Sequence, residues 1–374
     1  MTHPPLSVLH VSQPVEAGVA VYVGAAAADQ SRRGWRVTVA APAHGPLAAG
    51  LREHGVAHVA WEAARSPGPS CLPEALALRR IVAEVDPDVV HLHSAKAGLV
   101  GRLVLRGRRP TLFQPHGWSW LACRGAMTRA AVAWERAAAR WAAATLCVGD
   151  GEAVAGAEQG LDTGLVVVRN GVDLDRFTPA GEEPRLRARS ELGLPEGARV
   201  ALCVGRITEQ KGQDLLLRAW PQVLDACPDA LLVLVGEGEL RAALEAVAPP
   251  RVLFAGASAD VRPWYAACDV AVMPSRWEGL PLTALEAMAS GRPVVGFAIP
   301  GLDEVVPATA GTLVAPGDHV ALGRELAVRL AVPALAWEEG QVAAARSKEF
   351  DARATMDRLA RLTLDVAATG AAGC

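Results

Sequence analysis

The sequence predicts two doubly wound α/β domains in tandem, and three observations carry that prediction. Short β-branched runs alternate with Ala-, Leu- and Arg-rich stretches of helical period, the pattern of βα units around a mostly parallel sheet. The runs fall into two sets, divided by Phe177-Thr-Pro-Ala-Gly-Glu-Glu-Pro184, a polar stretch bearing Pro and Gly that reads as a linker. A length of 374 residues allows two or three domains and leaves ample room for large cores.

In the first set, strands are expected near Leu6–Ser12, Arg36–Ala41, Val56–Ala60, Asp88–His93, Thr111–Gln114, Thr145–Val148 and Leu165–Arg169. In the second they are expected near Arg199–Gly205, Ala230–Val235, Arg251–Ala255, Asp269–Met273, Pro293–Phe297 and Gly311–Val314. The Ala-rich segments between them carry enough Arg and Glu to be amphipathic helices, and no short tandem repeat is visible.

Composition narrows the class. A hydrophobic share of 51% with 21% charged residues excludes wholesale disorder. The net charge of −3 argues against a surface devoted to nucleic acid. The uncharged stretch Gly18–Ala28 is too short to span a bilayer, and no basic segment followed by an apolar one marks a secretory signal. Seven cysteines (Cys71, Cys123, Cys147, Cys203, Cys227, Cys268, Cys374) without a C-x-x-C pair suit a reducing cytoplasm and offer no zinc framework. A globular, cytoplasmic chain is expected.

Lysine is rare here: only Lys96, Lys211 and Lys348 stand among 37 basic residues, so each Lys is a departure from the chain's habit. Lys348, in a polar helical stretch, is ascribed to chance. The span from Lys96 to Arg140 holds nine basic residues (Lys96, Arg102, Arg106, Arg108, Arg109, Arg124, Arg129, Arg136, Arg140) against Glu135 alone. It reads either as a solvated helix surface or as a patch facing a phosphorylated acceptor or an acidic membrane.

Ligands of open α/β sheets bind beyond the carboxyl ends of the strands, and two dense motifs fall there. The strand Val200–Val204 runs into Gly205-Arg206-Ile-Thr-Glu-Gln-Lys211-Gly212. Arg206 offers a rigid fork of donors and Lys211 a mobile point charge, a pair suited to a diphosphate, and the glycines let backbone approach closely. Alone, such a pair also fits an ordinary polar loop. The strand Asp269–Met273 leads into Pro274-Ser-Arg-Trp-Glu278-Gly-Leu-Pro281-Leu-Thr-Ala-Leu-Glu286-Ala-Met-Ala-Ser-Gly291. Pro281 suits the first turn of a helix and Gly291 its end, so the N–H groups around Gly279 to Leu282 form an anion site backed by the helix dipole. Glu278 and Glu286 are poorly suited to phosphate but well suited to accept hydrogen bonds from sugar and ribose hydroxyls.

These two motifs, together with Asn170-Gly-Val-Asp173 and the Leu-Glu-Ala-Met-Ala-Ser-Gly-Arg-Pro-Val-Val run, resemble family 4 glycosyltransferases, retaining enzymes of the GT-B fold. The likeness covers nearly the whole chain and is strongest from Val166 to Val314. It implies two Rossmann-like domains facing a central cleft: residues 1–178 for the acceptor, 179–346 for a nucleotide sugar, and a helix over 347–374 crossing back to the first domain. It assigns Arg206 and Lys211 to the donor diphosphate, Glu286 to the ribose, and Glu278 with the Gly279–Leu280 backbone to the transferred sugar. His116, in Gln-Pro-His-Gly-Trp, matches the family's histidine near the donor sugar and the reaction centre. Gly18 belongs to a loop that usually carries a Gly pair near the phosphates; here the loop reads Glu16-Ala17-Gly18-Val19, with one Gly replaced.

The implied mechanism is front-face substitution with retention, in which a phosphate oxygen takes the acceptor's proton and the protein stabilises the leaving group. The implied co-substrate is a nucleoside-diphosphate sugar, with no cofactor and no metal. The acceptor is expected to be a lipid-linked saccharide or a small natural product, with peripheral contact at the inner face of the membrane and no nucleic-acid partner. His93-Ser-Ala-Lys96-Ala-Gly98 is similar to polysaccharide-assembly members and favours the lipid-linked saccharide. A GT-B-like protein that binds a sugar nucleotide without transferring it is the alternative.

Weaker signals compete. Asp173-Leu-Asp175 and Asp86-Pro-Asp88 look like metal-binding D-x-D but sit where turns and caps are expected. His91-x-His93 offers two ligands on one side of a strand with no third in view, and reads as structural. No G-x-G-x-x-G follows the first strand, Gly236-Glu-Gly238 lacks a third glycine, and no phosphate-binding Walker loop or G-x-S-x-G is present.

Overall fold

The computed structural model describes residues 5–161 and 164–371. Among the described residues, thirteen strands form two all-parallel sheets. The first contains β1 (Ser7–Ser12), β2 (Arg36–Ala41), β3 (Ala57–Ala60), β4 (Val89–His93), β5 (Thr111–Gln114), β6 (Ala144–Cys147) and β7 (Leu165–Val167), in the order β3-β2-β1-β4-β5-β6-β7. The second contains β8 (Arg199–Val204), β9 (Ala230–Val235), β10 (Val252–Gly256), β11 (Val270–Met273), β12 (Val294–Phe297) and β13 (Gly311–Val314), in the order β10-β9-β8-β11-β12-β13. Each expected strand is present, shifted by a residue at most at its start. Both sheets reverse their order between two central neighbours, β1 and β4 in one and β8 and β11 in the other, which is the switch-point geometry of doubly wound folds.

Two compact units result: residues 1–169 with 354–374, and residues 170–353. The chain thus leaves the first unit at Asn170, ahead of the expected boundary at 178. The polar stretch is part of the second unit because it is tied down there. Glu182, inside that stretch, opens a helix (Glu182–Glu191) whose Arg185 and Arg189 both bond Asp269. Asp269 also accepts the Val200 N–H at 2.7 Å, which anchors the helix to the second sheet. The return falls at Ala354 rather than 347, because Phe350 and Ala352 pair with Val172 through backbone bonds of 2.8 and 3.0 Å.

In the first unit, alternate residues divide the sheet's two faces. Leu9, Val11, Val90, Leu92 and Phe113 face a core built with Leu78, Ile81, Ala97 and Val100 of helices Cys71–Val85 and Ser94–Leu105. On the other face Val89, Leu112 and Leu146 meet Tyr22 and Ala26 of helix Ala17–Arg32, and Met356, Leu359 and Val366 of helix Ala352–Ala371. Burying each of those last three apolar side chains contributes about 2 kcal/mol against leaving it in water.

The basic span 96–140 is not one surface. Lys96 is buried against Glu74 at 2.7 Å, and Arg102 is buried against Glu135 at 2.6 Å with its guanidinium 3.8 Å from the Phe113 ring centre. Those two cations are spent inside the fold, whereas Arg106, Arg108, Arg124, Arg129, Arg136 and Arg140 are exposed. The six described cysteines are free thiols; Cys374 lies outside the described residues.

Candidate functional site

In the second unit β8 runs into the Gly205–Gly212 loop and β11 into the Pro274–Pro281 loop, side by side at the carboxyl ends of adjacent strands. Backbone holds the two loops together. Gly212 has φ +68°, and a Cβ there would run into the Pro274 carbonyl, so only glycine allows the approach. Arg276 donates to both carboxylate oxygens of Asp214 (2.8 and 2.7 Å) and to the Glu209 carbonyl (2.7 Å), while its N–H donates to the Gln210 carbonyl (2.8 Å). Gln210 in turn donates to the Trp277 carbonyl at 3.1 Å.

Inside that frame Lys211 Nζ lies 2.6 Å from Glu278 Oε1, with the side chains 17% and 7% exposed. The sequence placed these two residues on different parts of a ligand; the structure makes them an ion pair. Arg206 is the third charged member, its Nη2 3.4 Å from Gln210 Oε1 and its carbonyl accepting from Gln213 at 2.9 Å.

The Gly279–Leu280 turn is fixed from below. Asn170, 7% exposed, donates from Nδ2 to the Leu280 carbonyl at 2.7 Å. A Cβ at Gly301 (φ +85°) would strike the Gly279 carbonyl. Pro281 is the N-cap of helix Leu282–Ala289, one position ahead of the expected first turn, and that helix start presents N–H groups with no intrahelical partner. Glu286, on this helix, accepts from the Tyr265 hydroxyl at 3.2 Å. Burial pushes its carboxyl up to about 7, against the pull of Tyr265 and Arg176 toward the ionised form.

The remaining sequence-derived residues, Gly18 and His116, belong to the first unit. Gly18 is exposed in the first turn of helix Ala17–Arg32. Ala17 before it has φ +57°, a conformation that favours glycine and explains the usual Gly pair. His116 follows β5 with φ +54°, and Gly117 with φ +101°. Glu152 clamps this strained turn, accepting the Gly117 N–H at 2.5 Å and the Val148 N–H at 2.7 Å, while its carbonyl accepts from Trp118 at 2.7 Å. Burial drives the Glu152 carboxyl up to about 7.

His116 Nε2 lies 3.1 Å from His93 Nδ1, His93 Nε2 lies 2.9 Å from His10 Nδ1, and His10 Nε2 lies 2.8 Å from Gln30 Oε1. Burial lowers His116 to about 3 and His10 to about 4, and holds His91 and His93 well below the ordinary imidazole range. The sequence offered His91 and His93 with no third imidazole. The parallel register pairs His10 with His91, so the third arrives from β1. His10, His91 and His93 bring nitrogens within 4.8 Å of one another and are the described group that could hold a metal ion. The two D-x-D stretches are turns and caps: Asp173 accepts from the Asp175 and Arg176 N–H groups, Asp86 ends helix Cys71–Val85, and Asp88 accepts the Ser7 N–H.

Comparison with known proteins agrees with both units. A family model described as "Glycosyltransferase Family 4" matches residues 17–176, and one described as "Glycosyl transferases group 1" matches residues 198–331. The chain belongs to glycosyltransferase family 4. A GDP-mannose-dependent phosphatidylinositol monomannoside mannosyltransferase of Corynebacterium glutamicum is 38% identical over 173 residues, 43% of this chain and 45% of that protein. An Escherichia coli UDP-Gal:alpha-D-GlcNAc-diphosphoundecaprenol alpha-1,3-galactosyltransferase is 30% identical over 233 residues, 59% of this chain and 60% of the relative. The chain therefore spans about half the length of these relatives. The family 4 chain shares its GT-B fold with the Anabaena protein HepE, crystallised with UDP and glucose: TM-score 0.82 over 96% of this chain and 99% of HepE at 22% identity.

Signals for the partners that sequence reasoning missed were thin. Gln210, Asp214, Tyr265, Arg276, Glu152 and Gln30 act through register and loop packing, which no local spacing encodes. Gln210, Arg276 and Asn170 lay within motifs already singled out, though without a role there.

Proposed function

We propose that this family 4 member transfers a sugar from a nucleoside-diphosphate sugar to a hydroxyl of a lipid-linked or small-molecule acceptor, with retention at the anomeric carbon and without a metal ion. One observation carries the reading: Arg206, the Lys211–Glu278 pair and the start of helix Leu282–Ala289 lie on adjacent loops at the switch point of the second sheet. Arg206, Lys211 and the helix N–H groups supply positive potential where a departing diphosphate gathers charge. Glu278 holds Lys211 and accepts from a sugar hydroxyl, the Gly279–Leu280 backbone lines the sugar, and Glu286 accepts from the ribose. The acceptor proton passes to a phosphate oxygen, so no strong protein base is required. The family resemblance assigns His116 and Gly18, of the first unit, to the donor as well. Two relatives act on lipid-linked acceptors by their names, and the exposed arginines between 106 and 140 suit an acidic lipid surface. Among the described residues no helix is long and apolar enough to cross a membrane.

The test is a thermal-shift screen of nucleotide sugars, followed by release of nucleoside diphosphate on addition of acceptor. Donor binding, acceptor-dependent release unaffected by EDTA, and NMR of a product that keeps the donor's anomeric configuration are expected. Binding without release would leave a sugar-nucleotide-binding protein. Activity lost in EDTA and restored by Mg²⁺ or Mn²⁺ would replace the leaving-group account.

A further inference from the structure

We propose that Gln30, His10 and His93 are positioning residues: a hydrogen-bond relay through the core of the first unit fixes the tautomer of His116 and presents its Nδ1 as a bare acceptor for a sugar hydroxyl. The catalytic part of this rests on placing His116 at the donor sugar; the tautomer itself does not.

Three contacts link four side chains in series: Gln30 Oε1 to His10 Nε2 (2.8 Å), His10 Nδ1 to His93 Nε2 (2.9 Å) and His93 Nδ1 to His116 Nε2 (3.1 Å). His10, Gln30 and His93 are at most 1% exposed, so water does not compete for their nitrogens. Buried imidazoles shed charge, and a neutral imidazole has one N–H and one lone pair. An amide oxygen only accepts. His10 therefore carries its proton on Nε2 and leaves Nδ1 bare. His93 must donate to that Nδ1 from its own Nε2, which leaves its Nδ1 bare. His116 must then donate from Nε2, and its lone pair is left on Nδ1. One amide orientation, read outward through two rings, decides whether His116 offers a donor or an acceptor.

Neighbouring groups support the same picture. Tyr22 meets the His116 ring edge-on at 5.0 Å between centroids, and His93 lies nearly parallel to both partners, at 18° to His10 and 26° to His116. The turn that carries His116 is held in its left-handed conformation by Glu152, so the ring cannot swing away to choose another partner at no cost. A bare Nδ1 repels a phosphate oxygen and accepts from a hydroxyl, so the relay selects the sugar rather than the diphosphate as the ligand of His116.

The experiment is long-range ¹H–¹⁵N correlation of the histidine-labelled whole chain, which reads which ring nitrogen is protonated. Wild type is expected to show His10, His93 and His116 all protonated at Nε2. Gln30→Glu, which keeps an acceptor, should retain that pattern. Gln30→Met, which removes it, should spread His116 over both tautomers and lower kcat roughly tenfold while KM for nucleotide sugar stays within about twofold. The wild-type spectrum needs no variant, so poor folding of Gln30→Met cannot shelter the proposal. His116 protonated at Nδ1 in wild type, or an unaltered spectrum in folded Gln30→Met, overturns it. Stoichiometric Zn²⁺ binding that is lost in His91→Asn overturns it too, because the metal would occupy His10 Nδ1 and His93 Nε2. A changed tautomer with unchanged kcat would uphold the relay and remove His116 from the reaction centre.

Discussion

The two units place polar clusters at the same point of the same topology, and treat charge in opposite ways. Around β8 and β11 the charged groups are paired, Lys211 with Glu278 and Arg276 with Asp214, whose carboxyl the guanidinium holds below its usual range. Around β1 and β4 the polar groups are imidazoles stripped of charge by burial. Doubly wound sheets open a crevice at the switch point in both cases, but Tyr22 and Gln30 of helix Ala17–Arg32 pack against the imidazoles of the first, whereas Lys211 keeps 17% of its side chain exposed in the second. Position comes from topology; ionisation comes from what covers the position.

The sharpest way to break this contrast is Lys211→Ala. It removes the cation at the second site and should cut transfer by two orders of magnitude or more, roughly 3 kcal/mol of barrier, with the fold intact by circular dichroism. Near-normal turnover would mean that the pair is structural. A pH experiment addresses both units. Histidines held neutral give the first unit stability that is complete above about pH 6.5 and is lost as pH falls toward 4, on the order of 3 kcal/mol for His10 alone. Glu152 pulls the other way, but one carboxyl faces four depressed imidazoles. Glu286 gives the second unit stability that is complete below about pH 4.5 and declines as pH rises toward 7. Hydrogen exchange followed by peptide, corrected for intrinsic rates, should show the first unit loosening at pH 5 relative to pH 7.5 more than the second. Equal loosening would erase the distinction.

Smaller effects test the scaffolds. Asn170→Ala removes the donor beneath the Leu280 carbonyl and should cost about 1 kcal/mol in chemical denaturation, with a reduced nucleotide-induced thermal shift. An undiminished ligand shift would free the Gly279–Leu280 turn from that anchor. Ala17→Gly should raise stability by about 1 kcal/mol, since φ +57° costs an alanine and not a glycine. A loss of stability would show that the backbone there is not strained.

Strand positions were legible because buried parallel strands are written as β-branched runs between helical periods, and both central motifs were legible because they are contiguous. Pairings were not. Lys211 meets Glu278 only because β8 neighbours β11, and His10 meets His91 only through register. Local composition likewise misread Lys96 and Arg102, whose acidic partner Glu74 lies outside the basic span and whose partner Glu135 was counted as a lone exception within it. The polar run 177–184 looked like a linker because the aspartate that anchors its helix, Asp269, lies far along the chain.

The roof of the first sheet includes helix Ala352–Ala371, so a ribosome must deliver the whole second unit before the first can close. At ordinary elongation rates that wait is roughly 10–40 s. Until then Val89, Leu112 and Leu146 present an apolar face covered only in part, by Tyr22 and Ala26, while residues 170–353 already emerge as a candidate folding unit. The amino-terminal half is synthesised first and completed last. Substitutions at Met356, Leu359 or Val366 therefore bear on biogenesis, through chaperone dependence and recovered yield, beyond what the equilibrium stability of the finished protein records.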